Sequence, residues 1–203
     1  MDKKIILASS SPRRAELMKS IGVPFEVLPS GYEEDMALPL APDQLAKHLA
    51  IGKAEAVAKF SRNAIVIAAD TFVVFSGKIM GKPQTKERAR EMLSMLSGNA
   101  HSVITGLAII DTDSGRIFSE TVETKVRFRQ LSNSEIDNYI ATGEPLDKAG
   151  AYGIQGLAQS FVESIDGSYS NVVGLPIERM LKALKVFDVS AGPSAQDLTL
   201  KQE

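Results

Sequence analysis

The 203-residue chain contains no cysteine, which removes disulfides, thiolate catalysis and cysteine-ligated zinc together. That absence fits a reducing cytoplasm, the expected location. Excess charge of one sign is lacking as well: 23 Lys and Arg stand against 25 Asp and Glu, for a formal net charge of -2. No global basic field is available to hold nucleic acid or an anionic membrane, so any attraction for anions must be local. No apolar run reaches transmembrane length, and the apolar core of the opening MDKKIILASS is too short for a signal peptide. Also missing are the Gly-x-x-x-x-Gly-Lys-Ser/Thr phosphate loop, the paired-histidine zinc motif and the Gly-x-Ser-x-Gly elbow. The two histidines, His48 and His101, lie far apart in sequence and flag no chemistry. The common NTPase, metalloprotease and serine-hydrolase readings are therefore disfavoured.

What is present is an ordinary globular composition, 44% hydrophobic, of a length for one domain or two closely joined lobes. Residues 1–190 are read as that domain, and the polar, aperiodic 191–203 as a mobile tail. The patterning predicts strands at Ile5–Ala8, Phe25–Leu28, Ala64–Phe75, Val103–Ile110 and Arg116–Arg129, the last with one buried and one wet face. Helices are expected at Arg13–Ile21, Asp43–Phe60, Gln84–Leu96, Ser132–Ala141 and Leu175–Phe187. Ser76-Gly77-Lys78 reads as a hairpin turn, and Ser132 with Glu135 as a capping box. The glycine-rich 150–156 resists assignment. Strands and helices interleave around long hairpin-linked strands, so the fold class is α/β with a mixed sheet flanked by helices.

The densest chemical signal is Ala8-Ser9-Ser10-Ser11-Pro12-Arg13-Arg14, a strand emptying into a hydroxyl-rich loop that starts a helix. Ser11 suits the N-cap and Pro12 the first helical position. Arg13 and Arg14 fall in the first turn, the wrong end for cations because the macrodipole is already positive there. Hydroxyls, free N–H groups and two guanidinium groups converge there as in a phosphate site; two solvated arginines are the plainer alternative.

Asp70 interrupts the apolar Ala64–Phe75 run, where a carboxylate is expensive unless paired, hydrogen-bonded or metal-bound. A structural Asp satisfied by backbone N–H groups is the alternative. Lys53 lies about 40° from the Leu49 and Val57 stripe, so its ammonium points toward the protein body or snorkels past it. Lys82, in Gly81-Lys82-Pro83, and Lys148 could add to an electropositive lining. Gln155, among spaced glycines, carries the donor and acceptor needed to read a base edge. The acidic Glu33-Glu34-Asp35 turn could hold Mg²⁺, or simply be solvated.

Six ordered motifs then carry a resemblance. They are Ser9-x-Ser11-Pro12-Arg13-Arg14, Ala69-Asp70-Thr71, Gly81-Lys82-Pro83, Ser97-Gly98-x-x-His101 with Thr105-Gly106, Glu144–Gly156, and Asn171–Pro176. From about Ile5 to Leu184 the chain resembles the Maf family of house-cleaning nucleoside triphosphate pyrophosphatases. The resemblance implies an elongated mixed sheet like that of inosine triphosphate pyrophosphatases, with a cleft between two lobes. It implies hydrolysis of a nucleoside triphosphate to the monophosphate and pyrophosphate, helped by a divalent Mg²⁺ or Mn²⁺. It implies Asp70 as proton acceptor, with Lys53 and Lys82 beside it in catalysis. By the same likeness Ser9, Arg14, Lys53 and Lys82 line the phosphate site, and Arg13, Thr71 and Gln155 set base specificity. Glu33, with Asp70, is the acid near the metal.

The motifs look like the branch acting on dTTP and UTP. The branch for 7-methyl-GTP has Trp where this chain has Arg13, and lacks the Lys148–Gly156 string. Two alternatives stay open: a nucleotide-binding regulator of septum formation, and an enzyme of this fold preferring purine or modified bases. The expected partner is the nucleotide substrate, with neither stable nucleic-acid binding nor a membrane; a homodimer is admitted.

Overall fold

The computed structural model describes residues 3–189; the tail expected at 191–203 lies outside them. Seven strands form one mixed sheet: β1 (Lys4–Leu7), β2 (Glu26–Val27), β3 (Ala64–Phe75), β4 (Lys78–Met80), β5 (Ala100–Asp111), β6 (Ile117–Phe128) and β7 (Val162–Asp166). Their order is β2-β1-β3-β5-β6-β7, with β4 also on β3. β1 pairs in parallel with both β2 and β3, whereas the β3–β4 and β6–β7 pairs are antiparallel. The helices are α1 (Pro12–Ser20), α2 (Pro42–Ala58), α3 (Lys86–Leu96), α4 (Asn133–Ala141), α5 (Tyr169–Val173) and α6 (Ile177–Leu184). Among the described residues no helix is long and apolar enough to cross a membrane.

The described chain divides into two compact units, one from 3–70, 105–122 and 174–189, the other from 71–104 and 123–173. In the first, strand alternation sorts the core into two layers. Ile5, Leu7, Ile65, Ile67, Leu107 and Ile109 cluster with Met18 of α1 and Met180 and Leu184 of α6. Ile6, Ala8, Val66, Ala68 and Ala108 cluster with Ala50, Ala54 and Val57 of α2. The small residues let α2 approach its face closely. β3 is buried almost throughout, as its unbroken apolar run requires.

In the second unit, α3 buries Ala89, Met92, Leu93 and Leu96 at helical spacing. Its amino end is Thr85, whose hydroxyl accepts from the Arg88 N–H, so the helix begins two residues after the expected Gln84, which is left-handed at φ 63. The capping box on α4 forms in full, with the Ser132 hydroxyl on the Glu135 N–H and the Glu135 carboxylate on the Ser132 N–H. An aromatic cluster of His101, Phe128, Tyr139, Tyr152 and Phe161 meets edge to face.

Three expectations need correction. The Leu175–Phe187 helix is shorter, because Pro176 sits at a non-helical N-cap (φ -74, ψ 87) and the last turn is 3-10 at Lys185–Phe187. Two-faced burial on β6 holds only from Thr124 onward; the residues before it are partly exposed. Finally, β7 and α5 lie where the sequence reading placed no element.

Candidate active site

Asp70 follows Val66 and Ala68 at alternate positions of β3, so its side chain faces the α2 layer. There it meets Lys53, which turns inward rather than snorkelling past the apolar stripe. The residue is 6% exposed. The Lys53 ammonium donates to Asp70 Oδ1 and pairs with Glu34 Oε1 at 2.7 Å. Asp70 Oδ2 is buried and accepts no hydrogen bond among the described residues. One carboxylate oxygen is thus fixed by a cation while the other remains available as an acceptor.

Parallel pairing puts the serine loop alongside this acid. Leu7 lies opposite Ile67, and the Ala8 N–H donates to Ile67 O at 2.7 Å, so the chain after β1 runs beside Ala69 and Asp70. Ser9 is buried. Its hydroxyl accepts from the Ser11 N–H at 3.2 Å and from Arg14 Nη1 at 3.3 Å. Arg14 Nε donates to Gly174 O at 2.8 Å. Burial lowers the Arg14 pKa; the Asp70 and Glu34 charges oppose that shift and the Arg13 charge adds to it. A guanidinium so placed, still charged but partly stripped of water, favours an anionic ligand. Ser11 occupies the N-cap with extended backbone, as expected, but its hydroxyl makes no cap bond. Arg13 is exposed and has no hydrogen-bond partner among the described residues.

Ser9, Arg14, Lys53 and Asp70 are therefore brought together within the first unit. The acid that joins them is Glu34, not the expected Glu33, which is exposed and makes no hydrogen bond or ion pair among the described residues. The loop carrying Glu34 docks on α2 through Tyr32, whose ring occupies the space a Cβ on Gly52 would need, 2.4 Å away. Glycine at 52 is thus a packing requirement next to Lys53.

Thr71, Lys82, Lys148 and Gln155 belong to the second unit. Thr71 follows Asp70 on β3 and faces the opposite way. Lys82 is exposed and unpaired among the described residues, in a loop tied to the glycine-rich segment by the Gly150 N–H on Gly81 O at 3.1 Å. Gln155 is exposed at a turn. Lys148, considered as part of a cationic lining, instead donates to Glu144 O at 2.8 Å and Asp147 Oδ1 at 2.9 Å. His101, which flags nothing in sequence, is buried, and its Nε2 shares a hydrogen bond with the Tyr152 hydroxyl at 2.8 Å. Burial pushes its pKa down to about 4.

The donor set near Asp70 consists of hard oxygens. No group of three or more His, Asp or Glu is arranged for a metal among the described residues. Mg²⁺, however, is commonly held by one or two carboxylates plus substrate phosphates, so Asp70 with its unpartnered Oδ2 and neighbouring Glu34 fit such a half-site.

The Staphylococcus aureus Ham1 protein structure matches with a TM-score of 0.47 and 17% identity, covering 92% of this chain and 100% of that one. Similar sequences include the dTTP/UTP pyrophosphatase of Bacillus anthracis (strain CDC 684 / NRRL 3495), 49% identical over 187 residues, 92% of this chain and 97% of that protein. The dTTP/UTP pyrophosphatase of Bacillus cereus (strain ATCC 10987 / NRS 248) is 50% identical over 187 residues, 92% of this chain and 91% of that protein. A family model described as Maf-like protein matches residues 4–187. With that match spanning nearly all of its length, the chain belongs to the Maf family.

Proposed function

We propose that this protein hydrolyses nucleoside triphosphates, dTTP and UTP foremost, to the monophosphate and pyrophosphate, as a house-cleaning enzyme of the cytoplasm. The observation that carries the reading is Asp70, buried beside the Ser9–Arg14 loop with one oxygen held by Lys53 and the other without a partner. Names of relatives about half identical to this chain support the same reaction and the pyrimidine preference.

The Ser9–Arg14 loop binds the phosphate chain through guanidinium and backbone N–H groups at the start of α1. Lys53 holds Asp70 in one orientation. Asp70 Oδ2 accepts the proton of a water that attacks the α-phosphorus, and pyrophosphate leaves. Positioning and neutralisation of charge supply most of the acceleration, as is general for phosphoryl transfer. Asp70 and Glu34 would hold a Mg²⁺ or Mn²⁺ ion that, when bound, lowers the charge on the leaving group and acidifies the attacking water. The resemblance to the family assigns Lys82 to the phosphate chain and Arg13, Thr71 and Gln155 to the base.

Pyrophosphate release from UTP and dTTP, with and without Mg²⁺ or Mn²⁺, tests the reading directly. Asp70→Asn should lower turnover at least ~10²-fold while nucleotide binding persists. Near-normal turnover in that variant would refute the role of Asp70. Nucleotide binding by the wild type with no pyrophosphate release would instead leave a regulator that only binds.

A further inference from the structure

The Lys53 ammonium is shared between two acids. It donates to Asp70 Oδ1 and pairs with Glu34 Oε1 at 2.7 Å, so the carboxylates that fit a divalent ion lie one ammonium apart. The contact is built into the fold. Lys53 comes from α2 and Asp70 from β3, and Tyr32 docked on Gly52 seats the loop that carries Glu34. The Lys53 and Asp70 side chains are 11% and 8% exposed, so water screens them weakly. Asp70 Oδ2 is buried and accepts no hydrogen bond among the described residues, which leaves this acid a position for a further ligand.

Asp70 and Glu34 bring two negative charges. Lys53 brings one positive charge, and Arg14, on which both acids act, brings a second. The charges that meet at Asp70 therefore leave no net negative charge for a dication. A hard ion such as Mg²⁺ sheds its water reluctantly, and here it would also meet an ammonium already seated between its two ligands. A triphosphate reverses that balance. Its oxygens add negative charge and give the ammonium another anionic partner. We infer that Lys53 keeps divalent metal out of this site until a triphosphate arrives, so that ion and nucleotide enter together. The inference rests on the proposed placing of the metal at Asp70 and Glu34.

The test measures Mn²⁺ binding without nucleotide, from the free-ion EPR signal. The proteins are wild type, Lys53→Met, Lys53→Gln, and Lys53→Met combined with either Asp70→Asn or Glu34→Gln. Lys53→Met should bind Mn²⁺ at least ~10-fold more tightly than wild type, the effect of removing a unit charge about 5 Å from a dication even at the dielectric constant of water. Lys53→Gln is also neutral, and its amide can still donate to Asp70; it should tighten binding in the same direction. Either added carboxylate substitution should abolish the gain. Thermal melting gives a second readout: Mn²⁺ should raise the Tm of Lys53→Met more than that of wild type, because the ion replaces the missing positive charge.

Equal Mn²⁺ affinity in wild type and the neutral variants overturns the inference. So does a gain that survives loss of the Asp70 or Glu34 carboxylate, which would put the ion elsewhere. In either case, Mn²⁺-dependent pyrophosphate release from UTP by wild type would leave the proposed function standing. Release undiminished by EDTA would overturn the inference and remove the metal from the proposed function as well. Should Lys53→Met fail to fold, Lys53→Gln decides the matter alone: an unchanged affinity overturns the inference.

Discussion

Asp70 is hydrogen-bonded by the Lys53 ammonium, with the Arg14 charge also acting on it, and its dependence on Lys53 can be measured. Lys53 and Asp70 have side chains only 11% and 8% exposed. Truncating one member of such a pair leaves the other charge buried without compensation, which costs about 3–5 kcal/mol. Lys53→Ala should therefore destabilise the protein substantially, read as a fall in urea midpoint. Adding Asp70→Asn to Lys53→Ala should restore part of the loss, because the stranded charge is removed. A double variant no more stable than Lys53→Ala would mean the ion pair contributes little. Asp70 was legible in sequence, since a lone acid in an apolar run stands out; Lys53 was only half legible, because a lysine beside an apolar helical stripe can turn inward or snorkel past it. The choice between Glu33 and Glu34 was not. Adjacent carboxylates in an aperiodic loop have no preferred direction until the Tyr32 ring docks on Gly52.

Elements differ in how plainly they announce themselves. β3 was expected at Ala64–Phe75 and forms at those residues, since β-branched apolar runs ending in Ser-Gly leave few alternatives. The α4 capping box was equally plain. By contrast, β7 is only partly buried and shows no strict alternation, and α5 spans one turn, too short for helical periodicity to register. His101 escaped notice because a histidine on a strand reveals neither its burial nor its partner. Its burial now makes a prediction about pH. The neutral ring is favoured in the folded state, with a pKa of about 4 against 6.5 for the unfolded chain, so the unfolded state binds the proton first. The stability it contributes is complete above pH 6.5 and drains away as pH falls toward 4, by up to about 3 kcal/mol. His101→Gln, which cannot titrate, should flatten the fall in urea midpoint across that window. An unchanged slope would show that other groups control acid unfolding.

At the level of the whole molecule the charge balance is informative. The net charge is -2, yet the proposed ligand is a polyanion. Attraction must then come from a few local cations, the proposed set being Arg13, Arg14, Lys53 and Lys82, and should be screened by salt. KM for UTP should rise several-fold between about 20 mM and about 500 mM KCl at saturating Mg²⁺, with kcat nearly constant. A flat KM would mean that binding is governed by contacts other than charge. The fold class was also accessible from sequence, through interleaved strands and helices. What could not be read was the layering, in which alternate residues of β1 and β3 supply two separate cores.

That layering constrains how the protein can change over time. Because Val66, Ala68 and Asp70 share one face by parity, inserting or deleting a single residue after Val66 would rotate the acid away from Lys53 and press apolar side chains into the wrong layer. Loops in this molecule can lengthen by drift, whereas β3 can tolerate only exchanges of one side chain for another.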